Sequence, residues 1–241
     1  MNIVIPMAGE GSRFAKEGYE KPKPFIDVAG KPMIQRVLEN LNLPDARYYL
    51  IAKKNHLEKE SEIVADLQNK FPILFIPIEQ LTEGTACTVL FARKYINNDC
   101  PLVIANSDQI VDISIIDFIN DCNYRKLDGS ILTFSDPGMS AKWSYAKIND
   151  HGRVLEVQEK KPISAHATVG IYLFSRGKYF VDGAIDMIIN NDRVNNEFYT
   201  CPVYNFMIKE NLNIGIYPIP HQNMHGLGTP DDLQKYLNGN G

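Results

Sequence analysis

The chain of 241 residues predicts an α/β fold, a parallel sheet covered by helices on both faces and followed by a strand-rich lobe. Up to about residue 140, short apolar runs alternate with stretches of helical periodicity. Beyond that point the pattern changes to closely spaced strands. A glycine-containing loop follows the first apolar run directly, as expected where a strand turns back toward a helix.

In chain order, strands are expected over 2–8, 47–53, 74–78, 101–107 and 130–135. Ile34, Val37, Leu38 and Leu41 fall at i, i+3, i+4 and i+7, and Ala86, Val89, Leu90 and Arg93 repeat most of that spacing, so each set reads as an amphipathic helix. Residues 55–70 read as a third, more charged helix. The lobe begins with strands over 145–149 and 154–159 about the turn Asp150-His151-Gly152, then a strand over 167–175. Helices over 178–189 and 198–209, a strand over 214–219 and a short helix opened by Thr229-Pro230-Asp231 complete the chain. No Pro/Gly/Ser-rich linker or repeat divides it. One domain is therefore expected, with residues 1–138 as the core and 139–241 as the lobe and last helices.

Composition narrows the function classes. The chain is 44% hydrophobic and 22% charged, enough for a substantial core. Its net charge of -4 supplies no general positive field, which disfavours a nucleic-acid partner. The start MNIVIPMAGEG has no basic leader, and its apolar run is too short for a signal core or a membrane span. A cytoplasmic protein without membrane contact is expected. Cys87, Cys100, Cys122 and Cys201 lack metal-binding spacing and read as reduced packing residues.

In a parallel sheet, ligands sit over the carboxyl ends of the strands, so the informative loops follow each strand. Gly9-Glu10-Gly11-Ser12-Arg13-Phe14 follows the first. Its glycines would let backbone N–H groups approach an anion, although a tight strand-to-helix turn needs the same residues. Phe14 stands where a dinucleotide fingerprint needs glycine, and no Gly-Lys-Ser/Thr follows as in a P-loop. Arg13 instead puts a permanent forked cation in the loop. In Lys21-Pro22-Lys23-Pro24 two prolines hold the backbone and fix the direction of Lys23, which on a flexible loop would simply be solvated. Two cations brought together repel unless a polyanion lies between them, and a triphosphate is such a polyanion.

Met7-Ala8-Gly9-x-Gly11-Ser12-Arg13-Phe14, then Lys23, then Gly30-Lys31-Pro32-Met33-Ile34, resembles the sugar-phosphate nucleotidyltransferase (nucleotidyl transferase) family in order and spacing. The resemblance implies a mononucleotide-binding, Rossmann-like mixed sheet flanked by helices, related to the GT-A glycosyltransferases. It also implies that Ala8, Gly9, Gly11 and Ser12 face the nucleotide, while Arg13 polarises the triphosphate and Lys23 holds the phosphates at the reacting centre.

Further resemblances follow along the chain. Gln80-Leu81-Thr82-Glu83-Gly84-Thr85-Ala86 opens a helix, and as chemistry alone fits a capped helix start. The family places nucleobase contacts here, implying Gln80, Gly84 and Ala86, with Thr85 among the nucleotide-binding residues. Asn106-Ser107-Asp108 ends a strand; Asp108 there is either a turn cap or a hard oxygen ligand. The family implies nucleotide contacts at Asn106 and Ser107 and a Mg²⁺ ligand at Asp108. The family's second metal-binding Asp falls on Gly226 of His225-Gly226-Leu227-Gly228-Thr229-Pro230, so water, Asp231, Asp232 or His225 would have to substitute.

In the lobe, segments around Tyr145, Glu159-Lys160-Lys161-Pro162, Thr168-Val169-Gly170 and Asn195 to Tyr199 resemble the family's acceptor-binding segments. Tyr145, Glu159, Lys160, Gly170 and Glu197 are thereby implied to bind a phosphorylated acceptor, although exposed hairpin charges would look alike. The segments 195–199 and 225–232 also resemble stand-alone enzymes of capsular polysaccharide biosynthesis, which favours CTP as donor and phosphoglutamine or a hexose 1-phosphate as acceptor. The expected enzyme is a magnesium-dependent nucleotidyltransferase. Its alternatives are a GT-A glycosyltransferase, which would carry Asp-x-Asp where this chain has Ser107-Asp108-Gln109, and an inactive nucleotide-binding sensor.

Overall fold

The computed structural model describes residues 1–239 and contains a mixed nine-stranded sheet. Its parallel half is made by β1 (Asn2–Pro6), β4 (Arg47–Lys53), β5 (Ile73–Ile78) and β6 (Leu102–Ala105), in the order β5-β4-β1-β6. The two small strands β2 (Asp27–Val28) and β3 (Lys31–Pro32) form a separate hairpin. The antiparallel half hangs on β11 (His166–Phe174), which pairs with β6 and with β8 (Gly129–Ser135). The hairpin of β9 (Tyr145–Ile148) and β10 (Val154–Gln158) joins the beginning of β11, and β12 (Ile214–Ile219) runs parallel to β8 at the far edge. Last, β7 (Gln109–Val111) pairs with β13 (Met224–Gly226) outside the main sheet.

Both faces of the sheet are dry, which explains why its strands read as continuous apolar runs. Side chains alternate across a strand, so Ile3 and Ile5 enter one core while Val4 enters the other. The first face is covered by α2 (Met33–Asn40), α4 (Ser61–Lys70) and α7 (Ile115–Tyr124), through residues such as Ile34, Leu38, Leu67 and Phe118. The second is covered by α5 (Thr85–Val89), α6 (Arg93–Ile96), α8 (Gly177–Ile189) and α9 (Val203–Lys209), through Val89, Ile96, Phe180 and Tyr204. Each such fully buried large side chain contributes on the order of 1.5–3 kcal/mol. A third, smaller core lies apart from these two. It joins Phe14 of α1 (Ser12–Lys16), Ile26, Val28 and Met33 to Ile110, Leu227 and Leu233, the last from α10 (Pro230–Gly239).

The sequence reading and the structure differ at several elements. The charged stretch 55–70 is two helices, α3 (Lys54–Lys59) and α4, because Glu60 takes φ -110, ψ 35 between them. The helix expected over 198–209 begins only at Val203, since the backbone of 198–200 is spent on bonds to another loop. Helix α7 was not anticipated although Ile115, Phe118 and Cys122 stand at i, i+3 and i+7. Among the described residues, no helix is long and apolar enough to cross a membrane.

Candidate active site

Strand β1 has β4 on one side and β6 on the other, so the chain leaves the sheet in opposite directions from its neighbours and a crevice opens over their carboxyl ends. A cleft of about 1030 Å³ occupies that position. The loop after β1 forms one wall, with Ala8, Gly9, Gly11, Ser12 and Arg13 all lining it. Gly11 adopts φ 62 as the cap of α1, and a Cβ there would stand 3.0 Å from the Lys23 Cβ. Glycine is therefore required both for the turn and for the close approach of Lys23.

Lys23 opens a 3-10 turn, Lys23–Phe25, pinned by Pro22, Pro24 and the buried Phe25, whose N–H donates to the Pro22 carbonyl at 2.8 Å. Its ammonium makes an ion pair with Asp108, at the end of the loop following β6. Asn106, Ser107 and Asp108 line the floor. Gly170 crosses Asn106 so closely that a Cβ would lie 2.2 Å from its Nδ2, and the Asn106 N–H donates to the Gly170 carbonyl at 2.9 Å. Arg13, Lys23 and Asp108 thus share one cleft, although they come from three separate stretches of chain.

The opposite wall comes from the lobe. Glu159 is buried, accepts a hydrogen bond from the Ser144 hydroxyl, and has its carboxyl pushed up chiefly by burial. Lys160 holds a left-handed backbone, φ 54, unusual for a long side chain. Its ammonium donates to the Tyr199 hydroxyl at 2.5 Å and lies 4.5 Å over that ring. Burial, followed by a hydrogen bond to Glu197, raises the Tyr199 phenol above its usual value. Glu159, Lys160, Gly170, Glu197 and Tyr199 all line the cleft.

Three of the residues expected at the site lie outside this lining. Gln80 is exposed beyond the end of β5. Ala86 is fully buried, and its N–H is taken by the Phe198 carbonyl at 2.9 Å. Tyr145 is also buried, its hydroxyl donating to Asp136 and to the Ser140 carbonyl at 2.6 and 2.7 Å. Conversely, Thr168 and Tyr172 face the cleft with Gly170, and the alternation of β11 would have signalled both. Their hydroxyls lie 3.1 Å apart. Lys235 and Tyr236, from α10, also line the cleft; they carry no comparable local signal.

The segment 193–200 fastens the lobe to the loop before α5. Phe198 N–H donates to the Glu83 carbonyl at 2.7 Å, Thr200 N–H donates to Thr85 Oγ1 at 3.1 Å, and Arg193 pairs with Glu83. Asn195 and Asn196, both with positive φ, make the tight turn between Val194 and Glu197 that shapes the segment. As a result Gly84 and Thr85 on the first side, and Glu197 and Tyr199 on the second, face one space.

For a divalent cation the cleft offers Asp108, with Asp232 also in the lining, and no cluster of three His, Cys, Asp or Glu that could hold a metal occurs among the described residues. Of the side chains considered as substitutes at Gly226, Asp232 and His225 line the cleft and Asp231 does not. A carboxylate such as Asp108 fits a hard cation whose remaining ligands are phosphate oxygens and water.

Comparison with known proteins shows the family and the fold. Residues 3–199 match the family model described as nucleotidyl transferase. The bifunctional protein GlmU of Methanococcus aeolicus is 29% identical over 176 residues, which are 72% of this chain and 40% of that protein; the chain spans well under half the length of that relative. The UTP–glucose-1-phosphate uridylyltransferase AglF of Haloferax volcanii is 24% identical, with 80% of this chain and 85% of AglF covered. A nucleoside-diphosphate-sugar pyrophosphorylase from Vibrio cholerae RC9 shares the fold at a TM-score of 0.85 with 24% identity, covering 98% of this chain and 99% of its own.

Proposed function

Because the chain belongs to the nucleotidyl transferase family, we propose that it transfers a nucleotidyl group from a nucleoside triphosphate to a small phosphorylated acceptor and releases pyrophosphate. The meeting of Arg13, Lys23 and Asp108 over the carboxyl ends of β1 and β6 is the observation that carries this reading. The cations Arg13 and Lys23 with the carboxylate of Asp108, in a cleft of this size, suit a polyphosphate with a hard cation.

An acceptor phosphate oxygen attacks the α-phosphorus in line, and the bond from that phosphorus to the bridging oxygen of the β-phosphate breaks. A phosphate monoester is mostly dianionic at pH 7, its second pKa being about 6, so no general base is needed. The protein's task is to bring two polyanions together and to stabilise charge on the leaving pyrophosphate. Arg13 and Lys23 serve that charge, and Lys23 leaves Asp108 to do so. Asp108 would hold a Mg²⁺ ion, which would supply positive charge against the phosphates. On the lobe, Lys160 is held by Tyr199 where it can meet the acceptor phosphate, and buried Glu159 can accept hydrogen bonds from the acceptor's polar groups.

The finer reading takes CTP as donor, phosphoglutamine or a sugar phosphate as acceptor, and capsule or surface polysaccharide synthesis as the setting. It rests on the form of segments 195–199 and 225–232. Relatives with names that specify uridylyl and guanylyl transfer make a sugar 1-phosphate the first acceptor to try. The test is pyrophosphate release with Mg²⁺, each of CTP, UTP, GTP, ATP and dTTP, and a panel of phosphorylated sugars, polyols and amino-acid derivatives. Release with one pair identifies class and substrate together. The glycine at 226 favours one other reading, a nucleotide sensor; triphosphate binding without release for any acceptor of the panel would point to it, or to an acceptor outside the panel.

A further inference from the structure

Strand β13 lies against β7 with Gly226 directly opposite Gln109, so a side chain at either position projects to the same face. A Cβ on Gly226 would find nothing closer than the Gln109 carboxamide, whose nitrogen and oxygen both lie 4.0 Å away. The following residues clamp onto Asp108. Leu227 N–H donates to the Asp108 carbonyl at 2.8 Å, and a Cβ on Gly228 would lie 2.9 Å from Asp108 Oδ2. The missing side chain at 226 therefore leaves space bordered by the Gln109 amide, two residues before the glycine that abuts Asp108 Oδ2.

Gln109 is 8% exposed and lines the cleft, yet its Oε1 is buried without a hydrogen-bond partner. An unpaired buried amide oxygen is costly, and in a cleft it points to a ligand that completes it. Two neighbouring carboxylates each have one oxygen hydrogen-bonded. Asp232 accepts from the Thr229 hydroxyl at 2.7 Å, and Asp112 bonds to His225 at 2.6 Å.

We propose that the side-chain oxygen of Gln109 is a second protein ligand, beside Asp108, for the divalent cation of this cleft, in the space left by the glycine at 226. The inference rests on the metal-dependent reading of the site. Amide oxygens are ordinary ligands of hard cations. A set of one carboxylate and one neutral oxygen attracts a free cation less than two carboxylates do, and Lys23 offsets even that one charge.

The test is Mn²⁺ binding to the protein without nucleotide, read from loss of the free-ion electron paramagnetic resonance signal, for wild type, Gln109→Met, Gln109→Glu and Asp108→Asn. Thermal melts run on the same samples. Gln109→Glu is expected to tighten Mn²⁺ at least ~10-fold by converting the neutral oxygen to a charged one. Gln109→Met is expected to weaken it several-fold, with recovery when Gly226→Asp is added. If Asp108→Asn loses Mn²⁺ while Gln109→Met binds as wild type does, this inference fails and the functional reading stands. If Gln109→Met does not fold, Gln109→Glu decides: Mn²⁺ affinity unchanged from wild type overturns the proposal. The functional reading is judged separately, by pyrophosphate release.

Discussion

Replacing Gly84 by alanine tests the junction between the two walls of the cleft. Gly84 has φ 116 and ψ 172, a conformation open essentially only to glycine, and imposing it on another residue costs about 1–3 kcal/mol. A Cβ would lie 2.4 Å from the Phe198 carbonyl oxygen and 2.6 Å from its nitrogen. Carbon contacts are comfortable at roughly 3.5–4.0 Å, so segment 193–200 would have to retreat by about 1 Å. That retreat breaks the Phe198-to-Glu83 and Ala86-to-Phe198 bonds, now 2.7 and 2.9 Å, each contributing about 1 kcal/mol net. The sum is about 3–5 kcal/mol. If the loss is felt globally, the melting temperature falls by about 6–20 °C for a chain of this size. If the segment opens locally, the amides of Ala86 and Phe198 lose about 10²- to 10⁴-fold of their hydrogen-exchange protection. Thermal unfolding together with exchange mass spectrometry of peptides covering 82–90 and 193–202 separates the two cases. A melting temperature within about 1 °C of wild type with unchanged exchange in both peptides would refute this account of the junction.

Arg13→Ala, Lys23→Ala and Asp108→Ala should each lower pyrophosphate release by at least ~10²-fold with the melting temperature little changed; near-normal turnover removes that residue from the mechanism. Burial raises the folded Glu159 carboxyl above its unfolded value, so the group is neutral to stability below the unfolded pKa and costs stability as pH rises through and above it. The melting temperature of Glu159→Gln minus that of wild type should therefore grow between pH 4 and pH 7, and a constant difference would contradict the burial of that charge. Cys100 is exposed, whereas burial pushes the Cys122 thiol up to about 11 and holds Cys201 well above the usual thiol range. Iodoacetamide at pH 8 should label Cys100 first and Cys122 and Cys201 only on unfolding, as read by peptide mass spectrometry; alkylation of Cys201 as fast as Cys100 in folded protein would count against the packing described.

The sequence by itself determined what is local. Apolar runs with period two or 3.6 placed the sheet strands and most covering helices, because burial on both faces demands unbroken hydrophobic segments. The loop after β1 was equally legible. Gly9, Gly11, Arg13 and Lys23 are close in the chain, and their conformational demands are those of their own residue types. Tertiary structure alone decided which distant segments meet. Segment 193–200 takes up the Ala86 N–H that a helix start would otherwise offer to a ligand, and Tyr145 turns to Asp136 instead of the cleft. Nor could spacing show that Gly226 stands opposite Gln109, since that register is set by a two-strand pairing between residues more than a hundred positions apart. Hydrogen bonds and close contacts of this kind depend on how the sheet closes, which no local pattern of side chains encodes.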